Sequence, residues 1–196
     1  MNGFEIKMTL DDVTPITQRN LLIPSELTFE KLHEIISLVF NLNIKSKYKF
    51  IFDGIDLEIK DTKRINRDTI DSRYEKIIKY FQAFSTVLYV NDFWQISICI
   101  KEINYDKQFP LIVHTKGFYN PLPEIKSTDD FSNLIEKKMN INEANPDELK
   151  LISKLRRINR LKLQKKLMFL FNVPYKVYNR KIVEIKRENT LDNLLK

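Results

Sequence analysis

Between Phe4 and Phe40 the chain changes its hydrophobic period, and that change constrains the fold more than any other feature. Phe4, Ile6, Met8 and Leu10 alternate with Glu5, Lys7 and Thr9, the period of two of a strand buried on one face. Asp11-Asp12-Val13-Thr14-Pro15 carries turn chemistry, and Gln18 to Ile23 returns as a second strand stopped by Pro24. From Phe29 the spacing is helical. Leu32, Ile35, Ile36, Val39 and Phe40 form one stripe, with Thr28 as N-cap and Glu30 in the first turn. A strand pair and an amphipathic helix in direct succession bury their apolar faces on each other, which predicts an α+β fold.

The pattern continues in the same vein. Tyr48 to Phe52 and Ile55 to Ile59 read as a hairpin across Asp53-Gly54, and Ser85 to Val90 with Trp94 to Ile103 as another across Asn91-Asp92. Lys60 to Ser72 has no period and reads as a loop, Tyr74 to Phe81 as a short helix, and Leu111 to Val113 as a short strand before a Pro121-Leu122-Pro123 linker. Thr128 or Asp129 caps a helix running to about Met139. The expected architecture is an antiparallel sheet with a packed N-terminal helix over residues 1–140, followed at 141–196 by a basic, mainly helical C-terminal extension. That extension opens with Asn145-Pro146-Asp147-Glu148, which offers an Asn cap, Pro at the first helical position and a capping box. Leu151, Ile152, Leu155 and Ile158 make one stripe, but Leu163, Leu167, Leu170 and Phe171 fall nearly opposite, so a break is expected near Lys162–Gln164. After Pro174, Tyr175–Val177 and Lys181–Lys186 read as a terminal hairpin.

Composition removes several classes of function. Only 3 glycines in 196 residues argue against glycine-rich phosphate loops and turn-dense sandwiches. A single cysteine, Cys99, forms no internal disulfide, and with 2 histidines it cannot build a structural zinc site, so neither metal nor cofactor is expected. The start reads as a strand rather than a signal peptide, and no apolar run approaches the roughly 18 residues of a membrane span, so a cytoplasmic protein without a membrane partner is expected.

Charge is distributed unevenly. From Pro146 onward there are 14 Lys and Arg against 5 Asp and Glu, which leaves 19 bases and 21 acids in the preceding body. Clustered bases raise local positive potential and release counterions from phosphates, so nucleic acid is the expected partner class. The residues expected to carry it are Lys150, Arg156, Arg157, Arg160, Lys162, Lys165, Lys166, Arg180 and Lys181, the arginines at 156, 157 and 160 projecting from one side of the helix. No aromatic interrupts these bases before Phe169, so no stacking platform for single strands is visible in the sequence.

The stretch from Thr14-Pro15 through Arg19, Ile23-Pro24 and Leu27-Thr28-Phe29-Glu30-Lys31-Leu32-His33-Glu34-Ile35-Ile36 resembles the opening of the plasmid pRiA ORF-three-like family, found on bacterial and archaeal genomes and mobile elements. A second family block is matched by Leu88-Tyr89-Val90-Asn91-Asp92-Phe93-Trp94-Gln95-Ile96, and the resemblance covers roughly residues 4 to 135. It implies an α+β fold and marks Arg19, His33, Asp92 and Trp94 as motif positions of unassigned role. Gln18 and Asn20 depart from the family's Trp and Arg, and Tyr89, Asn91, Gln95 and Ile96 from its Asp, Gly, Glu and His.

Other chemistry reads more simply as structure. His33 lies at the edge of the helix stripe as a hydrogen-bonded structural histidine, His114 has no carboxylate at a suggestive spacing, Cys99 is a filler, and Trp94 is a core anchor. The leading expectation is a non-catalytic binding or accessory protein, associated with mobile elements, that engages nucleic acid through its basic extension. The alternative is a protein-interaction module that docks a partner or a second copy through an exposed face of Leu163, Leu167, Leu170 and Phe171. An enzyme is the third reading, and it requires the His33 ring beside Asp92 in an open pocket.

Overall fold

A computed structural model describes residues 2–53, 58–61, 69–119, 125 and 127–173. The terminal hairpin, the Pro121-Leu122-Pro123 linker, Arg180 and Lys181 lie outside them. The strands are β1 (Asn2–Leu10), β2 (Thr17–Pro24), β3 (Tyr48–Ile51), β4 (Glu58–Lys60), β5 (Thr69–Asp71), β6 (Thr86–Asn91), β7 (Trp94–Asn104) and β8 (Leu111–Lys116). The helices are α1 (Phe29–Phe40), α2 (Ile78–Phe81), α3 (Thr128–Met139), α4 (Pro146–Lys154) and α5 (Arg160–Leu170). All eight strands form one sheet in the order β5-β4-β3-β6-β7-β1-β2-β8.

The fold is α+β, but the sheet is mixed rather than antiparallel. β5 falls inside the segment expected to be a loop and pairs parallel to β4 over three residues, from Glu58↔Thr69 to Lys60↔Asp71. Three residues are too few to show a period of two, and nothing local marks a parallel pairing with β4. The long pairings of β1 with β2 and β7 follow the alternation directly: Phe4, Ile6, Met8 and Leu10 are buried, as are Trp94, Ile96 and Ile98 on β7. The opposite face, with Lys7, Ser97 and Cys99, is exposed.

Helix α1 packs its stripe on the buried face. Thr28 accepts from the Lys31 amide at 3.2 Å as N-cap, and Asn41, in the left-handed region at φ 59°, closes the C-terminus. Ser127 caps α3, one residue before the expected position, and α4 carries the full capping box of Asn145 and Glu148.

The helix break comes earlier than expected. α4 stops at Lys154, and Leu155 to Asn159 run outside the helices until Asn159 caps α5 by accepting from the Lys162 amide at 2.9 Å. The cause is a distant pairing: Arg157 forms an antiparallel bridge with Phe118, and the Tyr119 amide donates to the Arg156 carbonyl at 3.2 Å. A helix cannot offer those groups sideways. Lys138 adds to the stop by donating to the Ile152 and Leu155 carbonyls.

Past the break, Leu163 and Leu167 turn into the same core that holds β1 and α1, and Leu170 and Phe171 pack against it half-buried. The face expected to stay exposed for docking is therefore covered by the chain's own core. α5 also closes an open edge. β8 ends the sheet, and the buried Gln164 accepts from the Ile112 amide at 2.7 Å while donating to the Pro110 carbonyl at 2.8 Å. One helical turn earlier, Arg160 donates to the Val113 carbonyl at 2.8 Å. Side chains of a helix thus stand in for a missing strand. Leu167→Ala, which empties a fully buried site, should lower unfolding free energy by about 2–5 kcal/mol in urea titrations; a change near zero would mean that α5 is not part of the core.

Candidate anion-binding site

Of the four motif positions, three are built into the interior. Arg19, on β2, is fully buried, and no carboxylate pairs with it among the described residues. Its Nε donates to the Val39 carbonyl at 3.1 Å, Nη1 to the Gln18 and Lys116 carbonyls at 2.7 and 2.6 Å, and Nη2 to the Phe118 carbonyl at 2.8 Å. The guanidinium lies 4.8 Å from the Phe40 ring centroid. Burial pulls its pKa down to about 9, still above neutrality, so the cage holds a cation. Gly117, at φ 83°, turns the chain so that the carbonyls on both sides of it reach the same guanidinium; a Cβ there would collide with Thr17.

His33 is buried on α1. Its Nε2 lies 3.0 Å from the Ile44 carbonyl, which can only accept, so Nε2 carries the proton and Nδ1 accepts from the Tyr89 hydroxyl at 2.8 Å. The ring stacks on Tyr48 at 3.6 Å with 6° between planes. Burial pushes the His33 pKa down and the Tyr48 phenol up to about 12. Asn91 donates to the Tyr89 hydroxyl at 3.1 Å. Asp92 is exposed in the β6–β7 turn at φ 52°, as a two-residue hairpin connection requires. Trp94 is buried and meets Phe131 edge-on at 5.8 Å. With both ring nitrogens of His33 engaged and the ring closed in, the condition for an enzyme at His33 and Asp92 is not met.

The basic residues divide into two groups. Lys150 pairs with Asp147 at 3.2 Å, and Arg160 is turned to the edge of β8. Arg156, Arg157, Lys162 and Lys166 instead line one half-open cleft of about 380 Å³. Arg156 and Arg157 come from the extended segment between α4 and α5, not from a helix face. None of the four forms an ion pair with a carboxylate among the described residues. Ile158 and Leu163 supply apolar wall, and Asn159 stands at the start of α5. Lys165 is exposed on the same helix.

Tyr119 is the member of the cleft that sequence reasoning missed. Its hydroxyl donates to the Leu38 carbonyl at 3.0 Å, and the Lys166 ammonium sits 5.6 Å from its ring centroid. It lies far from the basic run in sequence and arrives only because Phe118 bridges Arg157. No local signal marks it. The electrostatics of α5 add to the cleft: its first turn contains no acid and instead holds Arg160 and Lys162, against the positive end of its own dipole.

The family model described as plasmid pRiA4b ORF-3-like protein matches residues 2–156. The chain belongs to this family. Among solved structures, a protein of unknown function from Methanosarcina mazei Go1 is similar at 17% identity with a TM-score of 0.65, over 82% of this chain and 97% of that one. That likeness shows the fold. No curated protein matches the chain. The plasmid pRiA4b ORF-3-like match includes Arg19, His33, Asp92, Trp94, Tyr119 and Arg156, and it ends before Arg157, Lys162 and Lys166. No helix among the described residues is long and apolar enough to cross a membrane, and no cluster of potential metal ligands occurs among them.

The buried arginine and the buried histidine can each be tested by unfolding. Arg19→Met leaves buried carbonyls unpaired and should lower stability by at least about 2 kcal/mol in urea unfolding, with Arg19→Lys failing to restore it; wild-type stability in either variant would refute the cage. For His33, the folded pKa is depressed, so the unfolded chain binds the extra proton first as pH falls below about 6.5. Stability contributed by the neutral ring is therefore complete above that value and lost as pH drops toward the folded pKa. Urea midpoints should fall between neutral and mildly acidic pH in the wild type and fall less in His33→Gln.

Proposed function

We propose that this protein is a nucleic-acid-binding module, non-catalytic, that engages phosphates through the cleft between the Arg156–Asn159 segment and α5. The observation that carries the reading is the meeting of Arg156, Arg157, Lys162 and Lys166 on one concave surface that no carboxylate lines among the described residues. Phosphate contacts need multivalent positive charge and no particular base sequence. The first turn of α5 supports the same reading. Helices α3 and α4 begin with acids, as the dipole favours, whereas α5 begins with Arg160 and Lys162. A local rule broken without internal compensation marks a functional surface, and an anion in the cleft would relieve the conflict.

Lys150 and Arg160 each have a partner within the chain, Asp147 and the Val113 carbonyl. Lys165, Arg180 and Lys181 extend the same basic run. Titration of duplex DNA and RNA at two salt concentrations tests the reading. Arg156→Glu with Arg157→Glu should weaken binding at least tenfold and make the salt slope shallower by about two, one per lost phosphate contact. Absence of binding at low salt, or affinity indifferent to the double reversal, would remove it.

A further inference from the structure

The cleft is too small and too charged for a simple phosphate track. At about 380 Å³ it lies near the lower end of small-ligand sites, room for about one nucleotide. Four basic residues line it, while an internal phosphodiester brings a single negative charge. A phosphate monoester brings close to two at neutral pH, and three acceptor oxygens instead of two.

The walls are also fixed before any ligand arrives. Tyr119 is tied at its hydroxyl to Leu38 and at its amide to Arg156, and its ring holds the Lys166 ammonium at 5.6 Å. Arg157 is held by the bridge to Phe118. Two guanidinium-bearing residues on a backbone already ordered suit bidentate capture of a compact dianion, and preorganisation of this kind reduces the entropy lost on binding.

We infer that the cleft of Tyr119, Arg156, Arg157, Lys162 and Lys166 takes a phosphate monoester of nucleotide size, either the phosphorylated end of a nucleic-acid strand or a free mononucleotide. The inference rests on the nucleic-acid reading of the same cleft. Its test uses the full chain and three labelled single strands of one sequence: phosphorylated at one end, dephosphorylated, and closed into a circle. A nucleoside monophosphate, its parent nucleoside and inorganic phosphate serve as competitors.

The phosphorylated strand should bind at least about tenfold more tightly than the other two, the effect of losing one strong charge-assisted contact set. The monophosphate should compete and the nucleoside should not. Arg156→Gln with Arg157→Gln should abolish the preference, and Lys162→Gln with Lys166→Gln provides an independent pair should the first be unstable. Equal binding of all three strands overturns the monoester site while leaving the nucleic-acid reading intact. Binding of the monophosphate alone, with no affinity for any strand, supports the site and overturns the nucleic-acid reading. Competition by inorganic phosphate equal to that by the monophosphate overturns the requirement for a nucleotide. No binding of any probe overturns both.

Discussion

A single buried cation organises this molecule. Placing the Arg19 guanidinium in the interior is costly unless its donors are satisfied, and here backbone carbonyls alone satisfy them. The carbonyls belong to three different places: β2 itself, the C-terminal turn of α1 through Val39, and the exit from β8 through Lys116 and Phe118. One planar group with five donors can join three such elements, and an ammonium cannot match that fork. The Val39 carbonyl lies in the last turn of α1, where helix carbonyls lack intrahelical partners and favour a cation. From Phe118 the constraint passes onward. Phe118 bridges Arg157, Tyr119 meets Arg156, and the cleft wall is thereby attached to the motif arginine. In this chain Arg19 thus holds the segment that meets Arg156 and Arg157.

Helix α5 carries a second duty that explains its unusual composition. A terminal strand such as β8 exposes backbone groups that invite another chain. Gln164 and Arg160, one turn apart, occupy the amide of Ile112 and the carbonyls of Pro110 and Val113. Leu163 and Leu167 meanwhile anchor the helix to the core. One face of the helix is committed to structure in this way, and Lys162, Lys165 and Lys166 fall on the remainder. The charge conflict at its first turn is tolerable because the helix is held by packing rather than by its own propensity.

The sequence was most legible where structure is local. Alternation at Phe4–Leu10 and the stripe of α1 translate directly into burial, and Thr28 and Asn145 act as the caps their neighbours suggest. What was not legible depends on tertiary pairing rather than on a local pattern. β5 exists because of β4, the α4–α5 break sits where Phe118 needs Arg157, and Gln164 is buried because β8 lacks a neighbour. The drift of apolar faces showed that one continuous helix would not pack, but only the tertiary pairing places the break. The same division applies to the site. Basic composition singles out Arg156, Arg157, Lys162 and Lys166 without showing that they share a cleft, and Tyr119 and the diversion of Arg160 likewise depend on topology.

The carboxylates that begin α4 have partners of their own. Glu148 completes the α4 capping box and pairs with Lys137, which hold its pKa below the usual carboxylate range; Asp147 pairs with Lys150. In the body, Glu58 is shared by Lys49 and Lys60, and Asp71 is gripped by Arg73. Exposed pairs of this sort contribute little to stability, so their arrangement is better understood through what it withholds. An acid left free beside α5 would neutralise Arg157 or Lys162 at no cost in folding. Among the described residues no such acid lines the cleft, which keeps several like charges together, a state that solvent screens only in part and that a multiply charged anion stabilises directly.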